Sequence, residues 1–497
     1  MKRKFLFLIS AGILWSATLI SCKSGEQENA QQISYDLVIA NARVIDPETG
    51  LDSVLNIGIT GGAIEKLTAD AITGSMEIDA EGKVAAPGFI DLHTHSPFPF
   101  GESFQVRDGA TTILDTEAGA YPASSYGHFI KDSARANFGG STAHSMIRIQ
   151  VIEGKNANYA IDEKGQSVMP GPAFVQPATQ EQIEQMRAML REDLDNGGLG
   201  IGLLLDYMSP AISDEELRMI FEVGKEKNAV VWVHIRRGAN GDIQGLNDVL
   251  DLSQEIGTPL HICHINANAM GEIENWLKVI DQANAQGADI SVEMFPYTAG
   301  STSISADVFN RNWQEIFNIT YEDIQWSETG EWFTRESWED KRKNQPGGMI
   351  IHHYMKEEWI QKGMKYPKMM IASDAMPAIV PEAKSNPNLA ASFTRFLAKY
   401  VRDENVLDLS DAIARASYLP AKRLESFAPA FRKKGRIQEG ADADVLVFDL
   451  KNLKDNATYT DPYQASTGWD YIIVNGEIVV DHDKLTSKSP GKRVTAK

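Results

Sequence analysis

The sequence predicts an α/β fold: a closed (β/α)8, TIM-type barrel carrying a small β-sandwich made from both chain ends. Three observations carry that expectation. Strand-length apolar runs alternate with helical patterns through the middle of the chain, while the two ends share a texture of short β-rich runs broken by Asp, Gly and Pro. Histidines and a carboxylate fall directly after several of the middle runs, which is where a parallel barrel keeps its chemistry.

The chain opens on Lys2, Arg3 and Lys4, then an apolar run from Phe5 to about Ile20, ending in Leu19-Ile20-Ser21-Cys22. This reads as an export signal whose last four residues resemble a bacterial lipobox, with Cys22 as the lipidated residue. The run is near the lower length limit for a membrane span, so a transmembrane anchor is the alternative. Residues 1–22 are therefore expected to be a signal peptide and the polar stretch 23–33 a tether. The protein is expected to be an exported bacterial lipoprotein, membrane-anchored, facing the periplasm or the cell surface. The only other cysteine is Cys263, so lipidation of Cys22 would leave no intrachain disulfide.

Residues 35–45, 54–59 and 64–67 read as strands, as do runs within 435–450 and 471–481, the last with an Asn475-Gly476 turn suited to a tight hairpin. One small domain is expected from residues 34–87 and 427–485, with the barrel inserted as residues 88–426. Strands are expected at 111–114, 146–151, 200–205, 230–233, 260–263, 290–294 and 369–371, and helices at 179–196, 214–227 and 273–286. The polar, Trp-rich stretch 310–348 is either an excursion covering the site or a solvated surface insertion. Lys+Arg 48 against Asp+Glu 68 gives a net charge of −20, which argues against nucleic acid and acidic membrane surfaces as partners.

His93-Thr94-His95 follows the run Pro87-Gly88-Phe89-Ile90-Asp91, and residues two apart in an extended segment point the same way, so both imidazoles can face one metal. His234 and His264 each stand at the end of a later run, and Asp374 at the end of the last. Singly, each could be a satisfied core residue. Together they make a first-strand pair, two later imidazoles and a last-strand carboxylate.

From PGFIDLHTH to SDAMP the chain resembles the amidohydrolase superfamily, and within it the D-aminoacylase (N-acyl-D-amino-acid deacylase) branch, over about residues 35–481. DGATTI, VHIR, CHIN, FPYTAGST, NPNLAASFTRFL and GRIQEGADADVLVFD carry the resemblance. It implies a zinc hydrolase of a linear amide, with one or two ions held by His93, His95, His234 and His264, and with Asp374 as general base and occasional ligand. A small acylated molecule is the implied substrate, near Arg236, Tyr297 and Ser301, with His144 bordering the pocket.

Three departures stand out. The branch's cysteine ligand is replaced by Ala118, which makes neighbouring Glu117 the expected substitute ligand, or else a group that orients one; Asp115 is also near. Oxygen in place of sulfur brings Mn2+ or Fe2+ into range beside Zn2+. Asn266 and Asn388 stand where the branch carries a lysine and an arginine for the substrate carboxylate. That loss suggests a masked acid, or a carboxylate reaching Arg236 or Arg148 instead. His352 and His353 read as structural, His128, His261 and His482 as core or surface, and Cys263 as packing. Two alternatives compete. A cyclic amide hydrolase of the dihydroorotase or hydantoinase type needs a strand-end lysine, and the nearest, Lys155, lies several residues past its run. A catalytically inactive, lipid-anchored binding protein has no need of Asp374.

Overall fold

The computed structural model describes residues 34–161, 167–169 and 171–497; the signal peptide, the tether and Cys22 lie outside the described residues. Eight parallel strands follow one another in chain order: Phe89–Asp91, Ala110–Ala120, Asn137–Ala143, Ile201–Leu203, Val231–Val233, Leu260–Ile262, Ile290–Met294 and Met369–Ile371, the first and last forming the two ends of the ladder. The ring is joined just past the strand ends, where Thr94 bridges Ala375 and the Asp374 N–H donates to the His93 carbonyl (2.9 Å). Along the fifth strand alternation sorts the side chains. Val231 and Val233 pack in the cluster that holds Leu217, Ile220 and Phe221 of helix Asp214–Lys227, whereas Trp232 joins Leu92, Leu114, Cys263 and Met370. The helix is punctuated as its sequence suggests: the Ser213 side chain accepts from the Glu216 N–H, acids fill the first turn, and Asn228 ends it at φ 51°.

One expected strand is corrected. Residues 146–151 are helical, and the third strand is the preceding Asn137–Ala143. Its sequence, NFGGSTA, lacks an apolar run because neighbours crowd it: a Cβ on Gly139 would stand 2.6 Å from the Val494 carbonyl. The chain's last segment runs alongside, Val494 N–H donating to the Phe138 carbonyl.

The second sheet has nine strands from both ends of the chain. Its seam is the antiparallel pairing of Val84–Pro87 with Val445–Phe448, and it has its own apolar core, including Ile39, Val44, Ile57, Val445 and Ile473. Asn475 (φ 46°) and Gly476 (φ 82°) make the expected hairpin turn. Between the last two barrel strands the chain leaves the barrel. Gly300–Ser303, Ile324–Trp326 and Met349–His352 form a small antiparallel sheet whose side chains Ser301, Thr302 and His352 reach the cleft at the barrel mouth, so the stretch 310–348 belongs to an excursion over the site. Among the described residues, no helix is long and apolar enough to cross a membrane.

Candidate metal centre and active site

Each expected ligand stands at the carboxyl end of its barrel strand. His93 and His95 leave the first strand with their Nε2 atoms 3.1 Å apart, and His234 and His264 bring Nδ1 and Nε2 within 3.0 Å of each other. Two non-glycine residues here are in the left-handed region, His264 (φ 33°) and Asp374 (φ 49°). Such conformations cost of order 1–3 kcal/mol and persist only where the surroundings impose them. The His264 N–H is tied to the Glu293 carboxylate at 3.2 Å, and that of Asp374 to the His93 carbonyl.

Glu117 reaches the mouth through a bulge. The ladder between the second and third strands slips between Asp115 and Ala120, and Gly119, at φ 64°, lies where a Cβ would meet Ser141 at 2.4 Å. Asp115 caps the bulge, accepting from the Ala118 and Gly119 N–H groups (2.9 and 3.0 Å). The carboxylate of Glu117 then stands between the two imidazole pairs. Its Oε1 is 3.0 Å from His234 Nδ1 and 2.8 Å from His264 Nε2, and its Oε2 is 3.3 Å from His93 Nε2 and 3.5 Å from His95 Nε2. Asp374 Oδ1 lies 3.4 and 3.7 Å from the same two atoms of His93 and His95.

This donor set fits divalent ions. Ligand atoms of a tetrahedral ion with bonds of about 2.0–2.1 Å stand roughly 3.3 Å apart. The groups His93, His95, Asp374 and Glu117, His234, His264 each offer nitrogen and oxygen donors within 4.8 Å of one another, and among the described residues Arg237 is the one Lys or Arg lining the cleft against Glu117 and Asp374.

Carboxylates behind the imidazoles fix their orientation. His93 Nδ1 donates to Glu293 Oε1 (2.6 Å), and His95 Nδ1 to Asp115 Oδ2 (3.0 Å). Asp91 accepts from the Ser373 hydroxyl (2.5 Å) and N–H (3.0 Å), bracing the turn before Asp374. Burial would raise Glu117, but His93, His234 and His264 outweigh it and hold it well below the usual carboxylate range. Burial depresses His234 to about 4, keeping it neutral as a ligand must be. The same burial pushes Asp374 up to about 6, with the charge of His93 opposing it.

The substrate residues divide. Ser301 lines the cleft. Arg236 does not: its Nη2 donates to the Ile212 carbonyl (3.1 Å), and the cleft side is taken by Arg237. His144 is fully buried, 2.9 Å from Glu216, and Arg148 is bound to that same carboxylate, so neither borders the cleft. Asn266, Asn388 and Tyr297 also lie outside its lining. Asn266 donates to the Phe295 carbonyl (3.2 Å), Asn388 to the Ser373 carbonyl (2.8 Å), and the Tyr297 ring packs beneath Arg395. The two asparagines brace neighbouring backbone, whereas the buried Tyr297 hydroxyl has no hydrogen-bond partner among the described residues. Cys263 is buried as expected, yet its sulfur falls within 4.8 Å of donor atoms of His93 and Glu117.

Sequence reasoning passed over Glu293, although a carboxylate inside the buried run ISVEM is itself a signal. It also passed over Tyr207 and Tyr354, and His352, read as structural, lines the same cleft.

Eight parallel strands deliver four imidazoles and two carboxylates to one mouth, a donor set suited to divalent metal ions. No family model matches the chain. It is 29% identical over 481 residues to the N-acyl-D-glutamate deacylase of Alcaligenes xylosoxydans xylosoxydans, covering 90% of this chain and 93% of that one. Among solved structures, a D-aminoacylase described by its binuclear metal centre superposes with a TM-score of 0.77 at 23% identity, covering 93% of this chain and 100% of that one. The N-acyl-D-glutamate deacylase of Bordetella bronchiseptica, complexed with zinc and a phosphonate inhibitor, gives 0.76 at 24%, with coverage of 93% and 100%. A dihydroorotase of Geobacter metallireducens matches over 56% of this chain and 65% of its own, at 23% identity. The chain's resemblance is to the D-aminoacylase branch of the amidohydrolases.

Proposed function

We propose that this chain hydrolyses the linear amide of an N-acyl-D-amino acid or a related small acylated compound, with zinc as its metal. The observation that carries the proposal is the carboxylate of Glu117 suspended between two imidazole pairs with Asp374 beside one of them. His93, His95 and Asp374 would hold one ion and His234 and His264 another, with Glu117 serving both. A bound divalent ion supplies Lewis acidity, polarising a carbonyl and acidifying water.

The chain's own groups do the rest. Asp374, its side chain 14% exposed and its pKa about 6, can take the proton of the attacking water and pass it to the leaving nitrogen. Tyr207, whose hydroxyl is 2.9 Å from Thr302 Oγ1, and Phe295 close the cleft around the scissile group and limit bulk water. A cyclic-amide reading is disfavoured by the cleft itself: Glu117 stands between the imidazole pairs, no lysine lines the mouth among the described residues, and Lys155 is exposed and paired with Glu153. The test is metal analysis coupled to turnover of paired N-acetyl-D- and N-acetyl-L-amino acids. One to two zinc ions per chain and preference for the D series are expected. A metal-free protein, or one inert on both series, would overturn the assignment.

We further propose that the protein works as a lipoprotein outside the cytoplasm, on the strength of Leu19-Ile20-Ser21-Cys22 after an apolar run. Replacing Cys22 with Ser should move the protein from the membrane to the soluble fraction. Continued pelleting of the Cys22→Ser protein with membranes would count against lipidation.

A further inference from the structure

Four arginines could meet an anionic substrate once Asn266 and Asn388 have replaced the expected cations. Three are committed elsewhere. Arg148 is bound to Glu216, Arg236 to the Ile212 carbonyl, and Arg395 to Asp455 (2.9 Å) and the Pro296 carbonyl. The fourth, Arg237, lines the cleft beside His234, His264 and Asp374, and among the described residues is the one Lys or Arg that does so. Its Nε donates to Asn268 Oδ1 (2.8 Å), which fixes the plane of the guanidinium, and its ring-side face lies 5.5 Å from the Phe317 centroid. Among the described residues no acceptor is bonded to its two terminal nitrogens, and no carboxylate forms an ion pair with it. Asp206, the nearest candidate, is held instead by Arg311 (2.7 Å).

On the same wall stands His352, 2% exposed and lying against the Gly300 backbone. The opposite side of the metal centre differs in kind. Beyond His95 and Ala118 the lining includes Leu204, Met349, Met376 and Pro377, with no Lys or Arg among the described residues there.

We infer that Arg237 is the residue that reads the substrate's carboxylate, a planar fork presented to a planar anion, and that it takes over a task expected of Asn266 and Asn388. Resting on the deacylase reading above, this narrows the substrate to an acylated amino acid whose acid is free. A masked acid, which the two asparagines alone suggested, would leave the guanidinium fork without the planar anion it matches.

The test compares N-acetyl-D-methionine with N-acetyl-D-methioninamide on the zinc-loaded enzyme. A charge-assisted, two-pronged bond predicts that the acid-to-amide ratio of kcat/KM falls about a hundredfold in Arg237→Met, mostly through KM, with Arg237→Lys between. An equal loss on both compounds would make Arg237 a prop for Asn268 and His264 and overturn the inference, as would an unchanged ratio. Should the enzyme hydrolyse neither compound, the deacylase reading fails separately, and calorimetric binding of N-acetyl-D-methionine then judges Arg237. Binding lost in Arg237→Met and retained in part by Arg237→Lys supports its role, whereas equal binding, or none by the parent protein, refutes it.

Discussion

Replacing His264 with Ala is expected to strip the metal from its half of the centre and to lower turnover by several orders of magnitude. Its Nε2 is one of three donors in the group with Glu117 and His234, and among the described residues no other imidazole belongs to that group. Loss of a mere supporting partner costs roughly 10–100-fold in affinity or activity, and loss of a donor from a three-donor set should exceed that. His264 also sits at φ 33°, a conformation that Ala accepts somewhat less readily than His, so a small backbone effect accompanies the chemical loss. His264→Asn separates the two effects, because Asn tolerates that conformation. Both variants should remain folded by circular dichroism and both should lose metal by mass spectrometry. Full metal content in either would remove His264 from the centre. Glu117→Gln is the matching arm: it keeps the bulge and the size but removes the negative charge and replaces one of the two oxygens between the imidazole pairs by an amide nitrogen, so metal should weaken while melting temperature holds.

The barrel and the histidines were legible in the sequence because their causes are local. Val230 to Val233 is apolar with a histidine at its end, and a parallel strand puts that histidine at the mouth whatever surrounds it. The third strand was not legible for the converse reason. NFGGSTA is shaped by the close approach of Tyr126, Leu199 and Val494, contacts made by residues distant in sequence, while the apolar MIRIQV that follows it satisfies a helix packed on the sheet. The same division runs through the site. Glu117 could be inferred from the missing cysteine, yet its place between both imidazole pairs depends on a bulge whose signal, Gly119, is one glycine among 39. Arg236 and Arg237 are adjacent, and which of them faces the cleft is decided by Asn268 and Ile212 from two other connections. Asn266 and Asn388 were singled out by their positions in a motif, and their side chains turn out to bond backbone carbonyls of neighbouring loops.

Asp374→Asn is expected to keep the ion held by Glu117, His234 and His264, to loosen the one shared with His93 and His95, and to lose about 10²–10⁴-fold in kcat, the usual contribution of a positioned acid–base group. The amide preserves the shape of the turn. Its backbone N–H still donates to the His93 carbonyl, Asn is at home at φ 49°, and Asp91 still holds Ser373. What disappears is a proton acceptor. Burial has set the Asp374 carboxyl to about 6, close enough to neutrality that it can take a proton from water and release it to an amine within one turnover. A bound cation beside it would draw that value down, so activity should rise with pH through the carboxylate's titration and reach a plateau once it is ionised. In Asp374→Asn the residual rate should lose that rise. If the variant instead keeps near-normal kcat and the same pH limb, the base is another group, and Glu117 is the carboxylate the geometry offers next, with both its oxygens already facing the imidazoles.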